Sequence, residues 1–207
     1  MNANIEPTDF VFDAAAEAAV AKAIARYPAG KQASAVMALL DIAQRQMERL
    51  TGTAWVPRLA MDVVAQRLGI APARVYEIAT FYTMYNTKPV GKYHLQVCTT
   101  TPCWLRGSDE VVSSCKKVTG IEGFGQTSED GLFTMTEVEC LGGCVNAPIL
   151  QINDDYYEDL DAARTEALLN ELKSGAPLPP AGSSIGRQAS APVTNQTALL
   201  NNTKPVE

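Results

Sequence analysis

The chain has a single histidine, His94, among its 207 residues. A Rieske iron centre takes two histidines, so that site is excluded. Of the five cysteines, at 98, 103, 115, 140 and 144, none forms a C-x-x-C pair. The motif of a stand-alone thioredoxin-like thiol–disulfide enzyme is therefore absent. So are the C-x2-C-x2-C run of a four-iron cluster and the C-x4-C-x2-C run of plant-type ferredoxins. No apolar run approaches the ~20 residues that span a bilayer, and direct membrane insertion is not expected. No basic residue precedes Lys22, which fits neither a secretory leader nor an arginine-rich mitochondrial presequence. The chain therefore reads as cytosolic, or as a mature form already trimmed. Positive charge is also in deficit, with 17 Lys and Arg against 23 Asp and Glu, a net charge of −6. Such a chain is poorly suited to neutralising phosphates, and nucleic acid is not an expected partner.

What is present falls into three zones. Residues 1–88 are Ala-rich and helical in period. Helices are expected from Asp13 to Tyr27, from Ser34 to Leu50, over "RLAMDVVAQRLGI" and over "APARVYEIATFYTMYN". In the second, Val36, Leu39, Leu40, Ala43, Met47 and Leu50 make an apolar stripe, leaving Asp41, Gln44, Gln46 and Glu48 outside. Residues 89–175 change period. Tyr93, Leu95 and Val97 alternate with His94 and Gln96 as a strand does. A helix over "WLRGSDEVVSSCKKVTG", three further strands and a last helix stopped by Gly175 follow. The order β-α-β-β-β-α predicts a sheet with helices on its faces, and the fold class is α+β. Residues 176–207 are rich in Pro, Ser, Ala, Asn and Thr and read as an extended low-complexity tail held by a partner surface.

Cys98 and Cys103 form C-x4-C, and Cys140 and Cys144 form C-x3-C. Paired cysteines at short spacing point to metal or redox chemistry in a reducing compartment. Four readings are open: a two-iron cluster, a zinc ion, two disulfides, and unrelated buried thiols. Zinc knuckles favour C-x2-C. The wider loops here suit a two-iron cluster, with one pair for each iron. Thr101 reads as an N-cap with Pro102 at N1, which places Cys103 in a first helical turn where free N–H groups favour a thiolate. Gly142 and Gly143 let backbone N–H groups approach sulfur. Cys115 lies mid-helix and reads as a packed thiol. His94 shares a strand face with Cys98; it reads as a strand-surface histidine, with a hydrogen bond near the cluster as the alternative. Arg106 is expected to meet solvent.

"FYTMYNTKPVGKYHLQVCTTTPCWLRGSDE" and "TEVECLGGCVNAPILQINDDYYEDL" resemble the 24 kDa-type subunit of respiratory NADH:quinone oxidoreductase, complex I. The likeness runs from Phe10 to Gly175 and leaves out the tail. It implies a thioredoxin-like α/β ferredoxin domain behind an N-terminal helical bundle. It implies one 2Fe-2S cluster on Cys98, Cys103, Cys140 and Cys144 and no catalytic acid or base on this chain. It also implies a partner subunit carrying FMN and the NADH site, further peripheral-arm subunits, and a place on the cytoplasmic side of the bacterial inner membrane (the matrix side in mitochondria). In that setting NADH reduces the partner's flavin by hydride, and the cluster exchanges single electrons with it. All-thiolate ligation implies a potential on the order of −400 mV.

Equivalent diaphorase subunits of NAD-linked hydrogenases and formate dehydrogenases share these motifs. Two other classes compete. "MDVVAQRLGIAPARVYEIATFY" has the outline of a helix-turn-helix, which would make a redox-sensing DNA binder. Its second helix offers Arg74 but also Glu77, with Val75, Tyr76, Ile78 and Phe81, a face suited to protein rather than base edges. A shuttle ferredoxin is the other. Phe81, Tyr82 and Tyr85 read equally as domain core or as a docking surface of a fixed subunit.

Overall fold

The structure, a computed structural model, describes residues 6–193. The chain divides into two compact units between Lys92 and Tyr93.

The first unit is helical. Helix α1 (Ala14–Ile24) starts at Asp13, whose carboxylate accepts from the Ala16 N–H and satisfies one of the free first-turn donors. A 3-10 turn, Gln32–Ala35, leads into α2 (Val36–Thr51). Helix α3 (Arg58–Leu68) stops at Gly69, in the left-handed conformation that glycine adopts without strain. Helix α4 (Pro72–Phe81) carries its proline in the first turn. Val20, Leu39, Leu40, Val56, Val64 and Val75 fill the core between them. Gln44 and Gln46, expected on the outer face of α2, are instead buried, and Leu50, expected in its apolar stripe, is exposed in the last turn of the helix. Gln46 donates to the Val11 carbonyl and accepts from the Asp13 N–H. Gln44 donates to Met84 O and accepts from Asn86 N. The segments before α1 and after α4 bring non-helical backbone groups into the core, and these amides satisfy them.

The second unit is a sheet with two long helices. Strand β1 (Tyr93–Cys98) is followed by α5 (Thr101–Leu105), α6 (Ser108–Thr119), β2 (Gln126–Thr127) and β3 (Phe133–Val138). Then come β4 (Leu150–Ile152), β5 (Asp155–Glu158), α7 (Ala162–Lys173) and β6 (Gly182–Ser183). The sheet order is β2-β3-β1-β4-β5-β6. β1 runs parallel to β3 and antiparallel to β4. Leu95, Val97, Phe133, Met135, Leu150 and Ile152 pack with Val111, Leu169 and Leu172 of α6 and α7. Strand alternation leaves His94, Gln96 and Cys98 for the other face.

The α+β architecture is as expected, with three differences in detail. The single helix expected after Cys103 is broken at Gly107, whose φ of 99° ends α5 and restarts the chain as α6. The short strands β2 and β6 lack the alternating pattern that marks a strand in sequence. The segment after Gly175, expected to need a partner surface, instead pairs its β6 in parallel with β5 of its own unit. Arg187 reaches the buried Asp159. Residues 194–207 of the expected tail lie outside the described residues.

Candidate metal centre

The four paired cysteines meet at one end of the sheet, beyond the C-terminal ends of β1 and β3. Cys98 is the last residue of β1 and sits opposite Val138, the last of β3. Because the two strands are parallel neighbours, their C-terminal ends deliver the loops carrying Cys103 and Cys140 to the same side. Cys144 opens a 3-10 turn, Cys144–Asn146. From there the chain returns beside β1, where the Cys98 N–H donates to Ile149 O at 3.4 Å.

Within the pairs the sulfurs are close. Cys140 Sγ lies 3.3 Å from Cys144 Sγ. The Cys98 and Cys103 thiols share a hydrogen bond, and Cys98 also interacts electrostatically with Cys140 and Cys144. Cys98 and Cys103 are each 1% exposed, beside Ala147 and Ile149. Cys140 is exposed and Cys144 half-buried. The centre thus has one buried end and one open end.

Burial alone would raise the Cys98 thiol. Hydrogen bonds from the Thr100 hydroxyl and the Leu141 and Thr100 amides outweigh it and hold the thiol below its ordinary value. Burial and the neighbouring Cys98 push Cys103 up to about 12. The Gly142 amide and the Cys144 thiol lower Cys140, while the bond to Cys140, with burial, raises Cys144. Within each pair, then, one sulfur is pushed toward easier ionisation and the other away from it. Gly142, at φ 86°, points its amide at sulfur in a conformation that favours glycine.

These features fit a two-iron cluster. The donors are soft sulfurs, they come in twos, and backbone amides are directed at them. Among the described residues, no group of three or more His, Cys, Asp or Glu side chains is placed to hold a metal ion. A cluster with two thiolates on each iron asks for pairs.

Two sequence expectations shift here. Thr100, not Thr101, is the N-cap of α5, and Pro102 is its second residue. The Thr100 hydroxyl makes no cap; it lies 3.2 Å from Cys98 Sγ. His94, expected at the strand surface, is buried, because β1 is a central strand. Its Nε2 lies 2.9 Å from Thr136 Oγ1, and burial lowers its pKa to about 4, so the ring is neutral. Cys115 is fully buried among the packed residues between sheet and helices. Arg106 is exposed. The aromatic trio divides: Tyr85 is core and bonds Met37 O, whereas Phe81 and Tyr82 are exposed. Trp104 and Leu105 next to Cys103, and Val145 next to Cys144, are exposed apolar residues. Asn146, buried two residues past Cys144, has little signal in the sequence, where only the turn "NAP" marks it.

The sequence profile of the thioredoxin-like 2Fe-2S ferredoxins matches residues 20–173. The chain belongs to the thioredoxin-like 2Fe-2S ferredoxin family. This ferredoxin is 48% identical to a subunit of the NADH-quinone oxidoreductase of Rickettsia conorii over 171 residues, 83% of this chain and 99% of that one. It is 46% identical to the mitochondrial NADH dehydrogenase (ubiquinone) flavoprotein 2 of Dictyostelium discoideum, over 95% of this chain and 77% of that one. Among solved structures it resembles an NAD+-reducing NiFe hydrogenase in the H2-reduced state, with a TM-score of 0.56 and 22% identity. That match covers 67% of the ferredoxin and 22% of the hydrogenase chain, and at this identity the likeness is one of fold. One 2Fe-2S cluster is the ferredoxin's cofactor. Among the described residues no helix is long and apolar enough to cross a membrane.

Proposed function

We propose that this ferredoxin is the electron-transfer subunit of the NADH dehydrogenase module of respiratory complex I, with Cys98 and Cys103 holding one iron and Cys140 and Cys144 the other. When bound, the cluster supplies reversible one-electron storage. The observation that carries the reading is the convergence of two cysteine pairs at the C-terminal ends of parallel β1 and β3. The chain's own part is to bind and to tune. Amides of Thr100, Leu141, Gly142 and Ile149 donate toward sulfur and offset the negative charge of four thiolates. Cys98 and Cys103 anchor the centre in the unit, and the open end at Cys140 faces the surface across which an electron passes.

The partner in this reading is the subunit that carries FMN and the NADH site, alongside further peripheral-arm subunits. The exposed Trp104, Leu105 and Val145 around the centre suit burial against it. The assembly is peripheral, on the cytoplasmic side of the bacterial inner membrane. The strongest support is 48% identity along nearly the full length of a component of NADH-quinone oxidoreductase.

The test is affinity purification of the tagged chain from its native host under mild detergent. The account expects co-purifying flavin, NADH-dependent quinone reduction, and a 2Fe-2S signal that NADH reduces. Recovery with hydrogenase subunits and hydrogen-dependent reduction of NAD+ would assign the chain to that class instead. Recovery alone, with free exchange of electrons to soluble acceptors only, would make it a shuttle.

A further inference from the structure

The segment after α7 folds back as a strap behind the second cysteine loop. Its centre is a buried ion pair: Arg187 Nη2 lies 2.9 Å from Asp159 Oδ1 and Nε 3.1 Å from Oδ2, with the side chains 9% and 3% exposed. Ser183 Oγ donates to the same carboxylate at 2.6 Å. Arg187 also donates to Ala191 O, and so pins the strap beyond itself.

The strap then reaches the cysteine turn. Asn146 Nδ2 donates to Ala189 O at 2.9 Å and to Glu158 Oε2 at 2.6 Å. The Asn146 carbonyl accepts from the Asp159 N–H at 2.7 Å. Asn146 closes the 3-10 turn that Cys144 opens. Of the other residues of this turn, Val145 is 65% exposed and Cys144 half-buried. Asp159, at φ 52°, and Ala189, at φ 47°, both adopt the left-handed conformation, which Asp tolerates better than most residues and Ala seldom takes. The surrounding bonds hold them there.

We propose that Arg187 and Asn146 are positioning residues for the cluster: the Arg187–Asp159 lock seats the strap, and the strap's Ala189 carbonyl fixes Asn146 and with it the Cys144 turn. Loosening the lock frees the less buried pair, Cys140 and Cys144, before Cys98 and Cys103. The inference rests on the ligand assignment proposed above. A buried carboxylate stripped of its partner is costly in itself, so the lock must be opened in two ways to separate positioning from folding.

The experiment uses the full chain reconstituted with iron and sulfide. The wild type is compared with Arg187→Met, with the double variant Asp159→Asn/Arg187→Met, which leaves no unpaired charge, and with Leu169→Ala as a core-destabilised reference. Iron release to a chelator, the paramagnetic resonance spectrum of the reduced cluster and thermal unfolding are read on each. The expected result is several-fold faster iron release and altered g-values in both Arg187→Met variants, with neither change in Leu169→Ala at matched loss of stability. Arg187→Lys should restore part of the wild-type rate. Iron release and spectra like wild type in the double variant, or equal changes in Leu169→Ala, overturn the proposal. If Arg187→Met fails to fold, the double variant decides alone. A wild type that forms no cluster strikes the ligand assignment instead, and that outcome is distinct from a cluster indifferent to Arg187.

Discussion

Gly143 lies so close to Ile149 that a Cβ on it would stand 2.5 Å from the Ile149 δ-methyl. Gly143 has φ −89°, so the demand is for space and not for an unusual backbone. Ile149 is 1% exposed and packs with Cys98 and Cys103. The close contact ties the open cysteine loop to the buried end of the centre.

Gly143→Ala should therefore destabilise the second unit by about 1–3 kcal/mol, the range for overpacking a tight site. Thermal unfolding measures it. Adding Ile149→Val removes the clashing methyl and should recover most of the loss. A Gly143→Ala protein as stable as wild type would show that the loop stands off Ile149.

Gln46→Leu should weaken the helical unit. It strips the Val11 carbonyl and the Asp13 N–H of their partners in a site 2% exposed. Two groups at about 1–3 kcal/mol each would cost about 2–6 kcal/mol if fully buried, and because both bonds are part-buried the low end, about 2 kcal/mol, is expected. A urea titration read by helical circular dichroism should show an earlier midpoint. An unchanged midpoint would mean that water serves these groups as well as the amide does.

His94 makes the second unit acid-sensitive. Its folded pKa of about 4 lies below the ordinary 6.5, because burial disfavours the charged ring. Between those values the unfolded chain binds more protons than the folded one, so stability rises with pH. The contribution is whole above pH ~6.5 and is lost progressively as pH falls toward 4, by up to about 3 kcal/mol. His94→Gln should flatten this part of the stability–pH curve. A variant with the same slope as wild type would assign the sensitivity elsewhere.

The layout of this chain can be read in advance wherever a periodic pattern or a spacing carries it. The apolar stripe of α2, the alternation of β1 and the glycine stops at Gly69 and Gly175 announce their elements. The four site cysteines stand out because two short spacings repeat across a long gap. What is not legible depends on contacts between distant residues. Gln44 and Gln46 look like surface amides until the backbone they serve is placed beside them. His94 looks exposed until β1 is known to be central. The strap has no pattern at all, because Arg187 is defined by Asp159 and Asn146 by Ala189, each pair far apart in sequence.

Cys115 is set apart from the other four by packing. It is fully buried, and burial raises its thiol to about 12. In the folded protein it should resist alkylation at pH 8 and react only on unfolding. Mass spectrometry after brief iodoacetamide treatment reads this directly, and rapid labelling would contradict the packing described.

The central claim is that two cysteine pairs hold one two-iron cluster. Paramagnetic resonance of the dithionite-reduced protein, taken on the wild type and on single serine variants of all five cysteines, tests it most directly. The account expects about one spin per chain in the wild type and in Cys115→Ser, with the signal lost or changed in Cys98→Ser, Cys103→Ser, Cys140→Ser and Cys144→Ser. A silent wild type that carries zinc, or a wild-type signal in any of those four variants, would contradict it.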